Sequence, residues 1–207
     1  MDKVEIPRKA IYRLSLYSRC LRRLSEKGIE TISSSALASA AGVKPAQLRK
    51  DIGYFGQFGT RGLGYPVDVL LGAFREVLGR ATLQPVILVG AGNLGRALLR
   101  YEGFLKEGFD VLAAFDKYPE SIDTARVPVP VHPDSELTEF IKANKVRMAI
   151  LCVPAEFGQE VANTLVEAGV QGILNFSPTI LQTPEYVVVT RVDLAMELEN
   201  LSFFIDQ

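Results

Sequence analysis

Residues 86–116 read VILVGAGNLGRALLRYEGFLKEGFDVLAAFD, and the order of patterns in this stretch decides the fold. Val86 to Val89 is an unbroken apolar run, as in a strand buried on both faces. It passes directly into Gly90-Ala91-Gly92-Asn93-Leu94-Gly95, a G-x-G-x-x-G loop. A helix is predicted from there to about Glu107, and a second apolar run, FDVLAAF, ends at Asp116. By itself the glycine pattern is weak. Here it has a strand before it, a helix after it and an acid 21 residues beyond Gly95, against the ~20 expected of a dinucleotide-binding βαβ unit.

Each residue type in the loop has a physical task. Gly90 makes the tight turn, Gly92 lets a pyrophosphate approach the backbone, and Gly95 lets helix and strand pack closely. With Ala91, Asn93 and Leu94 they form the candidate phosphate loop, and the helix that follows points unpaired N–H groups at an anion. Asp116 would accept hydrogen bonds from the adenine ribose hydroxyls and repel a 2′-phosphate, which favours NAD(H) over NADP(H). Lys117 follows it and weakens that exclusion a little.

Downstream, strands and helices keep alternating. Strands are predicted at VPVPV (127–131), RMAILCVP (147–154), GILNF (172–176) and YVVVT (186–190), with helices at 135–144 and 157–168. The pattern implies an α/β fold: a doubly wound parallel Rossmann sheet over residues 81–191. A ligand crosses the C-terminal strand ends of such a sheet. Cys152, Val153 and Pro154, and Asn175 in Asn-Phe-Ser-Pro, end there as candidates to flank the nicotinamide half; both segments also read as plain strand-ending turns. A last helix is predicted over 193–206 with Asp193 as N-cap. Its Leu194, Leu198, Leu201 and Ile205 form one stripe, broadened by Phe203 and Phe204, and so much apolar surface is expected to be buried.

Upstream, residues 1–80 read differently. Apolar residues at three- and four-residue spacing from Ile11 to Leu24 predict a helix over 8–27. The serines of TISSSALASAAG can N-cap a short helix near 35–41, Gly42 suits a tight turn, and Pro45 suits the first position of another helix running to about Phe55. Helix, glycine turn, helix is a helix-turn-helix, with its core at about 34–55. On the second helix Leu48, Ile52 and Phe55 share one face. Ala46 and Lys50 point the other way, with Gln47 and Arg49 on the flanks and Lys44 at the N-terminal end. That small, basic, amide-bearing face suits the major groove of DNA. GQFGTRGLGY, within residues 56–65, reads as a wing carrying Arg61 toward phosphate or a minor groove. Another helix is predicted over 67–80.

Charge follows the same division. Residues 1–80 hold 14 Lys and Arg against 7 Asp and Glu, a net +7, whereas residues 81–207 hold 9 against 17, a net −8. A basic head on an acidic body suggests that the head alone meets a polyanion. No apolar run approaches the ~20 residues of a membrane span, and MDKVEIPRKA lacks the apolar stretch of a signal peptide, so a cytoplasmic protein with no membrane partner is expected. Two cysteines far apart and a single histidine, His132, argue against a metal site. No acid–base constellation stands out beside the cofactor site, so the chain is expected to bind a dinucleotide without using it as an enzyme does.

PRKAIYRL, QLRKDIGYFGQFGTRGLGY, VILVGAGNLGRAL, AAFD and the amphipathic C-terminal helix together resemble the Rex redox-sensing transcriptional repressors, nearly end to end. The resemblance implies an N-terminal winged-helix domain that binds operator DNA through Lys44, Ala46, Gln47, Arg49, Lys50 and Arg61. It implies that NADH or NAD occupies the glycine loop. It implies a homodimer in which the C-terminal helix, residues 192–207, inserts by domain swapping between the two domains of the partner, and hence a palindromic operator. DNA would be released when the NADH/NAD ratio rises. Two other readings remain open on the residues alone: a small NAD-dependent oxidoreductase with a helical decoration, and a DNA-binding regulator of another nucleotide such as coenzyme A.

Overall fold

The computed structural model describes residues 6–60, 63–79 and 82–205. The chain divides into two compact units, Met1–Thr82 and Leu83–Gln207.

The first unit is a small helical domain with a short β-ladder. Helix α1 (Arg8–Ser25) buries Ala10, Leu14, Tyr17, Ser18 and Leu21, the one-sided stripe that its spacing requires. Strand β1 (Thr31–Ile32) leads into α2 (Ser34–Ala40), whose first turn is capped by Ser33 Oγ accepting the Ala36 N–H at 3.1 Å. The chain turns at Gly42 into α3 (Pro45–Gly53), with Pro45 in its first turn. Helix α3 stops at Gly53, short of the expected Phe55, although Phe55 still packs on the core. Strand β2 (Tyr65–Pro66) pairs antiparallel with β1, and α4 (Val67–Val77) closes the unit. Leu14, Tyr17, Leu37, Leu48, Ile52, Leu70 and Phe74 form the shared core. A bridge between Thr60 and Gly64 ties the base of the wing.

The second unit is built on a sheet whose six strands all run parallel. In chain order they are β3 (Gln84–Val89), β4 (Phe109–Asp116), β5 (Val131–Pro133), β6 (Met148–Leu151), β7 (Gly172–Asn175) and β8 (Val188–Arg191). Their spatial order is β5-β4-β3-β6-β7-β8, so the direction of winding reverses between β3 and β6. Helices α5 (Asn93–Leu99), α6 (Gly103–Lys106), α7 (Leu137–Asn144) and α8 (Ala155–Ala168) connect the strands, and α9 (Leu194–Ile205) follows the sheet. Strand side chains alternate between two cores. Ile87, Val89, Phe115 and Leu151 pack with Ile141 and Leu165, whereas Val86, Leu88, Ala114 and Ile150 pack with Leu99. Both faces are therefore covered, as an all-parallel sheet demands.

Two expectations are corrected. The helix after the glycine loop does not run unbroken to Glu107: α5 ends at Leu99 and α6 restarts at Gly103, a residue that weakens helix continuity. The third strand is not 127–131 but Val131–Pro133, because Pro128 and Pro130 have no N–H to give a ladder. The C-terminal helix, which the resemblance places in a partner subunit, is uncovered in the single chain. Leu198, Leu201, Phe203, Phe204 and Ile205 are all more than half exposed.

Candidate nucleotide crevice and nucleic-acid interface

The glycine loop sits at the reversal point of the sheet, between the ends of β4 and β6. The Gly90 N–H donates to Phe115 O and the Cys152 N–H donates to Val89 O, each at 2.8 Å, so both neighbouring strands grip the loop. Gly90 has φ +96°, and a Cβ there would stand 2.5 Å from Cys152 O. A Cβ on Gly95 would overlap Gly90 O. These two glycines are required by the chain itself. Gly92 is different: a Cβ on it would meet no protein atom within 4 Å. Its missing side chain leaves open space, which is what a pyrophosphate against the backbone needs.

Asp116 ends β4 beside this loop. Its Oδ2 accepts the Ala91 N–H at 2.8 Å and its Oδ1 accepts the Tyr118 N–H at 3.0 Å. The carboxylate is thus oriented by backbone donors, and each oxygen keeps a further acceptor site for a hydroxyl. Lys117 lies with Nζ 5.2 Å from the centre of the Phe157 ring and 5.9 Å from that of Tyr118. Phe157, in the first turn of α8, is brought beside Lys117 only by the fold. In the sequence it is marked only as an aromatic three residues past the end of the Cys152-Val153-Pro154 segment. Asn93 Oδ1 accepts from Arg96 Nη2 at 2.7 Å, and Leu94 is exposed.

The segments after β6 and β7 occupy the same end of the sheet. Burial pushes the Cys152 thiol up to about 12, so it is held as an unreactive thiol. Pro154 precedes the first turn of α8. Asn175 is buried, and its amide is engaged inside its own loop: Oδ1 accepts the Ser177 N–H at 2.9 Å and Nδ2 donates to Thr179 O at 3.0 Å. It shapes the loop after β7 through these bonds.

In the first unit α3 turns Leu48 and Ile52 inward and leaves Lys44, Ala46, Arg49 and Lys50 exposed, with Gln47 half-buried. Arg49 Nη1 donates to Ser34 Oγ at 3.3 Å. Between α3 and the wing lies a groove of about 600 Å³, lined by Ser33, Ser34, Arg49, Gln57 and Thr60 among others. Arg61 lies outside the described residues. A buried acid that the sequence did not reveal holds this helix in place. Asp51, 0% exposed, accepts from Arg13 Nε at 2.6 Å, Arg13 Nη2 at 2.7 Å, the Tyr17 hydroxyl at 2.8 Å and Gln47 Nε2 at 2.8 Å. Burial alone would raise its pKa, but these donors outweigh it and hold the carboxyl below the usual carboxylate range. Its hydrogen bond in turn raises Arg13, and burial followed by the same carboxylate raises Tyr17.

Among the described residues no cluster of His, Cys, Asp and Glu could hold a metal ion, and no helix is long and apolar enough to cross a membrane.

Two family models match the chain. One, described as "Putative DNA-binding protein N-terminus", covers residues 5–52, and a CoA binding domain covers residues 82–179. The redox-sensing transcriptional repressor Rex of Desulfitobacterium hafniense is 48% identical over 203 residues, covering 98% of this chain and 97% of its own. That of Carboxydothermus hydrogenoformans is 46% identical, covering 98% of each chain. Among solved structures, RSP in complex with β-NAD+ and operator DNA aligns with a TM-score of 0.90 at 35% identity, over 97% of this chain and 93% of that one. RSP in complex with β-NADH aligns with a TM-score of 0.85 at 33% identity, over 98% and 95%.

Proposed function

The chain belongs to the Rex family of redox-sensing transcriptional repressors, and we propose that it binds a palindromic operator as a homodimer and leaves it when NADH fills the crevice between β3 and β6. It acts as a repressor and not as an enzyme. One observation carries the reading: a single chain joins a basic helix-turn-helix to a glycine loop with open space at Gly92 and an oriented acid at Asp116. RSP, its structural relative, has been seen with NAD+ and operator DNA and with NADH.

In the crevice, residues 90–95 take the pyrophosphate and Asp116 accepts the adenine ribose hydroxyls. Lys117, held over Phe157, stands beside that acid. Val153 and Pro154 line the side toward the nicotinamide. On the DNA side Lys44 and Lys50 meet phosphate, while Gln47, Arg49 and Ala46 face base edges and Arg61 meets phosphate or a minor groove. The apolar face of α9, exposed in the single chain, is the surface that a second copy covers by taking up the helix. A repressor that meets both operator and coenzyme works in the cytoplasm.

Control by NADH requires that it bind the DNA-incompetent arrangement more tightly than the competent one. A coupling of ~1–3 kcal/mol changes operator affinity ~5–150-fold. The test is operator binding at one fixed salt concentration, with NADH, NAD+, NADPH and coenzyme A in separate titrations. NADH alone should release DNA. The CoA binding domain match over residues 82–179 gives the coenzyme A arm its point: release by that ligand instead would favour a sensor of another nucleotide.

A further inference from the structure

Gln47 and Asp51 lie one turn apart on α3, joined by Gln47 Nε2 donating to Asp51 Oδ1 at 2.8 Å. An ionised carboxylate can only accept hydrogen bonds. The amide of Gln47 therefore has one permitted orientation, with Nε2 toward Asp51 and Oε1 turned away from it. Asp51 cannot swing to accommodate the other, because Arg13 holds it through two bonds at 2.6 and 2.7 Å and Tyr17 through a third at 2.8 Å. Both donors come from α1, so the orientation of one half-buried side chain on α3 is set by another helix.

This matters for reading DNA. An unconstrained glutamine offers a donor or an acceptor according to its partner and so discriminates poorly. In the major groove the exocyclic amino groups of adenine (N6) and cytosine (N4) are donors, whereas guanine O6 and thymine O4 are acceptors. Resting on the reading of α3 as the DNA-contacting helix, we propose that Asp51 is a positioning residue that presents Gln47 Oε1 to the groove, making Gln47 a specificity-determining residue for a base with an exocyclic amino donor. A base presenting only an acceptor at that place would set two oxygens against each other.

The full-length protein is selected against duplexes randomised through the half-site, as wild type, Gln47→Ala, Asp51→Asn and the double variant. Asparagine offers either a donor or an acceptor, so it no longer dictates the amide orientation. The wild type should prefer adenine or cytosine at one position of each half-site by on the order of tenfold, and the base selected tells which. Gln47→Ala should erase that preference. Asp51→Asn should relax the same position and no other, and the double variant should be no looser there than Gln47→Ala. If Asp51→Asn fails to fold, the side-chain amide of Gln47 in the wild type decides, assigned by NMR against Gln47→Ala. One of its protons should be shifted and protected from exchange. The proposal is overturned if Gln47→Ala alters no position, if a folded Asp51→Asn keeps the preference, or if both amide protons behave as in free glutamine. A wild type that selects no sequence at all would instead remove the DNA-reading premise.

Discussion

Two glycines of one loop illustrate how differently single residues carry structure and binding. Gly95 has no room for a Cβ, because one would overlap Gly90 O. Gly95→Ala should lower stability by ~1–3 kcal/mol or more through overpacking, read by urea unfolding. Gly92 has room on every side that the protein occupies. Gly92→Ala should leave unfolding within about 0.5 kcal/mol of wild type. It should also remove the rise in melting temperature that NADH gives wild type through binding the native state. A Gly92→Ala protein that still gains stability from NADH would show that the coenzyme does not approach this backbone. The motif assigns Gly92 to the ligand and Gly95 to helix–strand packing, and the space around each fits that division. What packing adds is the severity: a Cβ at Gly95 would meet backbone, whereas one at Gly92 would meet nothing within 4 Å.

Among elements, α1 and α3 meet through a shared apolar core and, within it, one buried carboxylate. Its folded-state pKa is depressed, so the unfolded chain binds a proton there more readily. The stabilisation is complete above the ordinary carboxylate range and is lost as pH falls through the folded-state value. The stability gap between wild type and Asp51→Asn should therefore be constant near neutral pH and shrink in acid; a gap independent of pH would mean that the clamp is not ionic. Arg13→Ala, which leaves the buried Asp51 without its cation, should destabilise by on the order of 3 kcal/mol in urea unfolding at neutral pH. Helix α9 makes the opposite case. Its amphipathic stripe and its Asp193 cap, which accepts from the Ala195 and Met196 N–H groups at 3.2 Å, were legible in sequence. The stripe also called for a cover, but not for which chain supplies it, because a stripe shows that something covers a helix and not that the same chain does. A chain ending before Asp193 should sediment as a monomer, and a dimeric product would refute the exchange of this helix.

At the scale of the whole molecule, the two units carry opposite net charge and separate ligands, and their coupling is a property of neither alone. Linkage makes the coupling reciprocal: whatever factor NADH takes from operator affinity, operator must take from NADH affinity. Calorimetric titration of NADH with and without a saturating palindromic duplex at one salt concentration checks this equality. Unchanged NADH affinity beside a large NADH effect on DNA binding would break the thermodynamic cycle and point to a second NADH site. The same duplex tests the charge distribution. Replacing Lys44 by Ala should weaken binding to all sequences alike and reduce the slope of log affinity against log salt by about 0.9 for each phosphate that is no longer neutralised.

The chain's sequence determined the two-part organisation, the glycine loop and its acid, the recognition helix and most element boundaries, because these depend on short-range sterics and on side-chain periods of two and 3.6 residues. Tertiary structure alone decided what joins distant residues. Arg13 and Tyr17 meet Asp51 across 38 and 34 positions, and Phe157 lies under Lys117. It also moved β5 to Val131–Pro133 and left α9 without cover in its own chain. For the clamp, the Lys117–Phe157 contact and α9 the physical reason is one: periodicity shows which face of an element must be covered, whereas the identity of the cover follows from packing among segments far apart in the chain; β5 shifts for the local reason that Pro128 and Pro130 have no N–H to pair.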